Sequence, residues 1–447
     1  RQLSGRYGFS PSFVPAWLFD FQATLVRWAV EKGRGAIFAD CGLGKTPIQL
    51  VWAQNVVEKT NRSVLILTPL ACSAQTVREA AKFSIPCRRH TVAGPATIVV
   101  TNYEKLHLFS PDDFVGIVAD ESSILKNFDG PTKAHVTEFA RRLPYRLLCT
   151  ATPAPNDTIE LGTSAEALGE MGYTDMLGMF FKNDESSIAP MSYRTKWRFK
   201  PHAERPFYRW LGSWARALRR PSDLGFDDGR FVLPALTTRV SVVNASRPQP
   251  GRLFAVAART LDEQRAERRL TIRERCERVA ALACESSDLF IAWAHLNDEA
   301  DLLEEMIPNA RQVSGSQSDE RKEELFEAFS SGALRVLITK PQIGGHGMNW
   351  QHCSRLSMFP SHSYEQFYQS IRRCWRFGQT REVVVDIITT EGEADVLGNL
   401  KRKSDAADRM FANLVEHMGD AETRERAENE TPAPPTIPDW MSETLSV

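Results

Sequence analysis

Paired cysteines, long apolar runs and an excess of one charge are all missing from this 447-residue chain. The eight cysteines stand singly, without a C-x-x-C pair or a Cys/His ladder, so neither a disulfide framework nor a zinc site is suggested. A reducing, cytoplasmic setting is the expectation. No stretch approaches the roughly 18 apolar residues a membrane helix needs, and "RQLSGRYGFSPSFVPAW" has neither the apolar run nor the cleavage site of a signal peptide. A formal net charge of −1 excludes a protein coated with base. It leaves room for a local basic groove, because clusters of opposite sign cancel in the sum. No repeat at a solenoid period is visible. What is present, 42% hydrophobic and 25% charged residues, suits an ordinary globular chain with two domains and an insertion.

Two blocks alternate short β-rich apolar runs with helical patterns, which predicts parallel α/β architecture. The first holds "GAIFA", "SVLILT", "TIVVT", "GIVA" and "YRLLCT"; the second holds "LFIAWA", "ARQVS", "RVLIT", "RLSMF" and "VVVDII". Between them the rhythm breaks, and the charged stretch around "LDEQRAERRLTIRERCERVAAL" predicts helix. From Gly419 the chain turns acidic and proline-rich, a composition expected to be poorly ordered.

"GAIFADCGLGKTPIQL" sets Gly42, Gly44, Lys45 and Thr46 after an apolar strand and before a helical pattern. That is the context of a phosphate-binding loop, although Ala39 stands where the strict pattern has glycine. The glycines let backbone N–H groups turn toward phosphate oxygens, and the helix N-terminus adds positive potential. Lys45 would reach the β- and γ-phosphates of ATP, and the Thr46 hydroxyl would ligate Mg²⁺. The other reading of the stretch is a tight strand-to-helix turn that binds nothing. In "FVGIVADESSILKN", Asp120 and Glu121 directly follow another apolar strand. Asp120 would hold Mg²⁺ and Glu121 would polarise the attacking water, whereas acids at a strand end also serve simply as helix caps.

With these motifs placed, the chain resembles superfamily-two helicases and, among them, Swi/Snf-like translocases, in a compact form like helicases carried by phages and prophages. The resemblance runs along nearly the whole chain. "FDFQATLVRWAV" looks like the adenine-sensing segment, with Gln22 as the base reader. "LTPLACSAQTVREA" and "TNYEKL" resemble strand-gripping motifs, which implies nucleic-acid contacts at Thr68, Pro69 and Tyr103. "DESSILKN" keeps the acidic pair, with Ser123 where the family has histidine. "VSGSQSDERKEELFEAF" and "ITKPQIGGHGMNW" imply further strand contacts at Ser314, Gly315, Thr339 and Lys340, and nucleotide contacts at Gly347 and Asn349. "QSIRRCWRFGQT" fits the Gln…Arg-x-x-Arg-x-Gly-Gln motif, which implies that Gln369, Arg373 and Arg376 face the nucleotide from the second domain. A guanidinium fork suits the charge that develops on a transferring phosphoryl group. For Arg372, outside the motif's fixed positions, an exposed basic turn is the expectation.

The resemblance implies two RecA-like parallel-sheet domains, at 1–165 and 286–418, with a basic, largely helical insertion and linker at 166–285 and a tail at 419–447. It implies an ATP- and Mg²⁺-dependent motor on DNA, duplex favoured, with single strands or RNA as other tracks and no membrane association. Such a protein would work in the cytoplasm of a bacterial or phage-infected cell. A strand-separating helicase and a non-cycling ATP-sensing clamp are its rivals. From Arg194 to Arg220, nine lysines and arginines stand against one acid and are interleaved with aromatics. Lys196, Arg198 and Lys200 are the expected phosphate contacts there. Trp210 and Trp214, at i and i+4, would equally suit the core face of a helix. The lone His295 and His346 are expected to be hydrogen-bonded neighbours rather than catalysts.

Overall fold

The computed structural model describes residues 5–91, 95–183, 197–243, 268–345 and 347–430; Lys196, His346 and the last part of the expected tail lie outside these. The fold is α/β, with two parallel sheets of seven and six strands. All ten apolar runs form strands. In the first sheet they are β1 (Arg34–Ala39), β2 (Ser63–Thr68), β4 (Ile98–Asn102), β5 (Phe114–Asp120) and β6 (Tyr145–Thr150), joined by a short β3 (Cys87–Arg89) and by β9 (Ala215–Leu218). Their order is β3-β4-β2-β5-β6-β1-β9, every pairing parallel. The runs lack polar alternation because helices cover both faces. Along β1, Phe38 points into one core and Ile37 into the other, and Leu65 and Ile66 divide the same way along β2.

The second sheet orders β10 (Leu236–Val242), β15 (Val383–Thr389), β14 (Arg355–Met358), β11 (Phe290–Trp293), β13 (Val336–Thr339) and β12 (Arg311–Val313), again all parallel. The stretch between the blocks is thus not only helical. It supplies β9 to the first sheet, β10 to the second, and a small antiparallel pair, β7 (Phe181–Asn183) with β8 (Trp197–Phe199). β9 was hidden by "ARAL": Arg216 is buried in that strand, stacked 4.4 Å over the Trp28 ring and donating to the carbonyls of Gly212 and Ala215.

The helix Ala394–Glu430 returns from the second sheet to the first. Leu400 and Ala407 pack with Tyr364, and Met410, Phe411, Leu414 and Met418 enter a core of the first sheet. Arg219 and Asp408 add an ion pair at 2.5 Å. The helix also continues past Gly419 to Glu430, where disorder was the expectation. "AETRERAENE" is acidic but made largely of strong helix formers, so propensity outweighs the charge pattern there. No helix among the described residues is long and apolar enough to cross a membrane.

Candidate nucleotide site and nucleic-acid contacts

β6 separates β5 from β1 in the sheet, and the parallel strands all end on one edge. The loop after β1 and the acidic pair after β5 therefore meet at the same rim. The loop leads into the helix Lys45–Thr60, with Gly44 in the left-handed region at its cap. Gly42 and Gly44 have φ of 90° and 78°. A Cβ on Gly44 would stand 2.3 Å from Gln22 Nε2, and one on Gly42 would stand 2.9 Å from Phe377 N. The glycines are needed both for backbone conformation and for room. Gly44→Ala is expected to lower stability by about 1 to 3 kcal/mol, read by denaturant unfolding; an unchanged midpoint would contradict the geometry.

Glu121 also adopts a left-handed conformation, with φ of 50°, at the sharp turn where β5 ends. The turn buries its carboxylate, and Thr150 Oγ1 donates to Oε2 at 3.3 Å. Asp120 accepts from Gln49 Nε2 at 2.6 Å, and its carbonyl accepts the Tyr103 hydroxyl at 2.6 Å. Burial first, then the like charge of Glu121, pushes Asp120 up to about 6, against the pull of Gln49 and Lys45. Burial opposes the charge on Lys45, yet Glu121 and the neighbouring acidic groups raise its pKa. The Lys45 ammonium itself donates to the Ala39 carbonyl at 3.1 Å.

The second sheet closes the site. One cavity of about 380 Å³ is lined by Gln22, Gly42, Gly44, Lys45, Thr46, Asp120 and Glu121 on one side and by Gly347, Asn349, Arg373 and Arg376 on the other. Gly347, with φ of 77°, approaches so closely that a Cβ would lie 2.3 Å from Cys72 Sγ. Arg373 donates to the carbonyls of Gln369 and Met348, and Arg376 Nη1 donates to Met348 O at 3.1 Å. Neither forms an ion pair among the described residues. Burial, and then Arg373 beside it, lowers Arg376 to about 10, so it stays charged near neutrality.

Several expected site residues stand elsewhere or are otherwise engaged. Gln22 lines the cavity, but its Nε2 donates to Leu43 O at 3.0 Å and its Oε1 accepts from Phe19 N at 3.1 Å. Gln369 is buried behind the cavity wall and is not among its lining residues. Thr68, Tyr103 and Thr339 are buried: Thr68 and Thr339 end β2 and β13, and Tyr103 opens the short helix that follows β4. Pro69, Ser314 and Lys340 are half-buried and Gly315 is exposed. Arg198 is exposed, while Lys200 donates to the Gly178 carbonyl. Trp214 is fully buried and Trp210 packs against the same core, so the aromatics of the basic stretch serve packing. His295 bonds the Phe359 carbonyl at 3.1 Å, as a structural neighbour would.

Arg372 is the plainest correction. The expected solvated residue is buried, and its Nη2 donates to Asp40 Oδ2 at 2.7 Å across the interface. Sequence reasoning also missed an aromatic rim on the cavity. Phe231 and Phe377 rings lie 4.8 Å apart, Phe19 meets Phe231 edge-on at 5.0 Å, and Trp17 stacks on Phe83 at 4.2 Å. Phe19, inside "FDFQATLVRWAV", and Phe377, inside "RRCWRFGQT", lie in motif segments, whereas Phe231 does not.

Thr46 and Asp120 offer hard oxygen donors at the loop, and no group of three or more His, Cys, Asp or Glu side chains forms a metal cage among the described residues. That sparse oxygen set fits Mg²⁺, which keeps several waters and binds through one or two protein oxygens plus phosphates.

Fold and site define an α/β protein of two parallel sheets, with a cavity between them lined by the glycine loop after β1 and the acidic pair after β5. No family model matches the chain, and no curated protein matches it. Among solved structures it is similar to the SWI2/SNF2 ATPase core of Sulfolobus solfataricus in complex with dsDNA, at 16% identity over 92% of this chain and 96% of that one, with a TM-score of 0.42.

Proposed function

We propose that this chain is a motor that hydrolyses ATP between two RecA-like domains, 1–165 and 286–418, and translocates on duplex DNA. The observation that carries this reading is the convergence of Lys45, Thr46, Asp120 and Glu121 with Arg373 and Arg376 on one cavity. Backbone N–H groups of the loop would hold the phosphates, and Lys45 would meet the β- and γ-oxygens. Thr46 and Asp120 would hold Mg²⁺, which supplies charge neutralisation on those oxygens. Glu121 would take the proton of the attacking water, and Arg373 and Arg376 would stabilise charge developing on the transferred phosphoryl group. Because the arginines sit on the opposite sheet from the loop, turnover would require closure, and opening would follow product release. The order of the motifs supports a Swi/Snf-like engine. Thr68, Pro69, Tyr103, Ser314, Gly315, Thr339, Lys340, Arg198 and Lys200 are the strand contacts of this reading, with the stretch 166–285 beside the track.

ATP-driven displacement of a third strand from a triplex, without separation of the underlying duplex, is the expected result. Separation of the duplex itself would favour the strand-separating reading. No displacement of either kind with ATP turning over would overturn translocation.

A pH dependence follows from this reading. A cation needs Asp120 ionised, and the carboxylate form is lost as pH falls through about 6. kcat/KM for Mg·ATP, which reports the free enzyme, should therefore fall on the acid side of about 6. Gln49→Leu removes a bond that favours the carboxylate, so its acid limb should lie at higher pH. Superimposable profiles for the two proteins would contradict this assignment.

A further inference from the structure

Arg372 immediately precedes the proposed finger Arg373, yet its contacts are with the start of the phosphate loop. Its Nη2 donates to Asp40 Oδ2 at 2.7 Å and to the Cys41 carbonyl at 2.7 Å. Tyr368, one turn earlier on the helix Tyr364–Ile371, donates its hydroxyl to Asp40 Oδ1 at 2.5 Å. Asp40 is itself fixed, since its N–H donates to Leu218 O at 3.0 Å and its Oδ1 also accepts from Cys41 N at 2.6 Å. The Arg372 and Asp40 side chains are only 4% and 9% exposed, so both charges are taken out of water by closure.

We infer that Asp40, Arg372 and Tyr368 form a latch that seats the finger helix on the phosphate loop and thereby positions Arg373 and Arg376. This rests on the ATPase reading above. Two features make it a latch rather than a passive contact. The pair joins the residue just before the loop to the residue just before a finger, so little chain remains between it and the reacting groups on either side. It is also a buried charge pair, and losing one partner leaves the other uncompensated. At an interface between two bodies that cost is relieved by opening, which solvates the orphaned charge. The guanidinium serves both Asp40 and the Cys41 carbonyl, a geometry that a lysine ammonium cannot fully replace.

Arg372→Ala is expected to lower kcat by about 10- to 100-fold, the scale of an ångström-sized misplacement of catalytic groups. KM should change by less than about threefold, because the loop contacts to nucleotide belong to the first sheet alone. Arg372→Lys should fall between wild type and Arg372→Ala. The double variant Asp40→Asn/Arg372→Ala should be no slower than Arg372→Ala alone, since both changes remove one interaction. Wild-type kcat in Arg372→Ala, including the case where only its unfolding midpoint drops, would overturn the latch. So would a double variant whose loss is the product of the two single losses. If the wild-type protein hydrolyses no ATP, the ATPase reading fails, and the latch is judged by small-angle X-ray scattering of the nucleotide-free protein. A larger radius of gyration in Arg372→Ala than in wild type then supports it, and identical radii overturn it.

Discussion

Arg376→Ala is expected to lower ATP turnover by roughly 10³- to 10⁵-fold, the range found for removal of an arginine finger. Nucleotide affinity should change far less. Arg376 lines the cavity opposite the loop, and its hydrogen bond to the Met348 carbonyl uses Nη1, so other N–H groups could meet phosphate oxygens. Burial, and then repulsion from the adjacent Arg373, lower it to about 10. A γ-phosphate would relieve that repulsion, most strongly where charge accumulates in the transition state. Arg376→Lys keeps the charge but loses the planar fork, so it should recover only a small part of the rate. Single-turnover hydrolysis beside equilibrium binding of a fluorescent ATP analogue separates the two effects. Turnover within a fewfold of wild type would remove Arg376 from the chemistry.

Glu121→Gln should cost roughly 10²- to 10⁴-fold in the same assay, the usual worth of a positioned general base. The substitution preserves size and can still accept the Thr150 hydroxyl, so nucleotide should remain bound. Glu121 occupies a left-handed backbone conformation that a non-glycine residue takes only when its surroundings impose it. Both acids line the cavity, the Glu121 carboxylate beside Thr150 and that of Asp120 held by Gln49. Two adjacent acids thus acquire different surroundings and different proposed tasks. Retention of rapid hydrolysis in Glu121→Gln would show that the water is activated elsewhere.

The parts of this molecule that the sequence makes legible are those set by local chemistry. A single apolar run such as "SVLILT" or "YRLLCT" could equally be a piece of buried helix; ten of them alternating with helical patterns pointed to strands, and all ten appear in the two sheets. The loop glycines and the Asp120–Glu121 pair were legible because strand, turn and acid follow one another without interruption. What escaped was decided by packing at long range. Arg216 made β9 look like a basic surface, though its charge is stacked on Trp28 and satisfied by carbonyls. Arg372 looked solvated because its partner Asp40 is 332 residues away in the chain, beyond any pattern of spacing. Phe231 had no local signal at all; it sits at the cavity rim against Phe19, Phe21 and Phe377.

One measurement bears on the motor most directly: steady-state ATP hydrolysis at fixed salt, alone and with duplex DNA, single-stranded DNA or RNA, with Glu121→Gln as the control. The expected result is strong stimulation by duplex DNA that disappears in Glu121→Gln. Binding of ATP without hydrolysis on any of the three tracks would contradict the motor and leave a nucleotide-sensing clamp in its place.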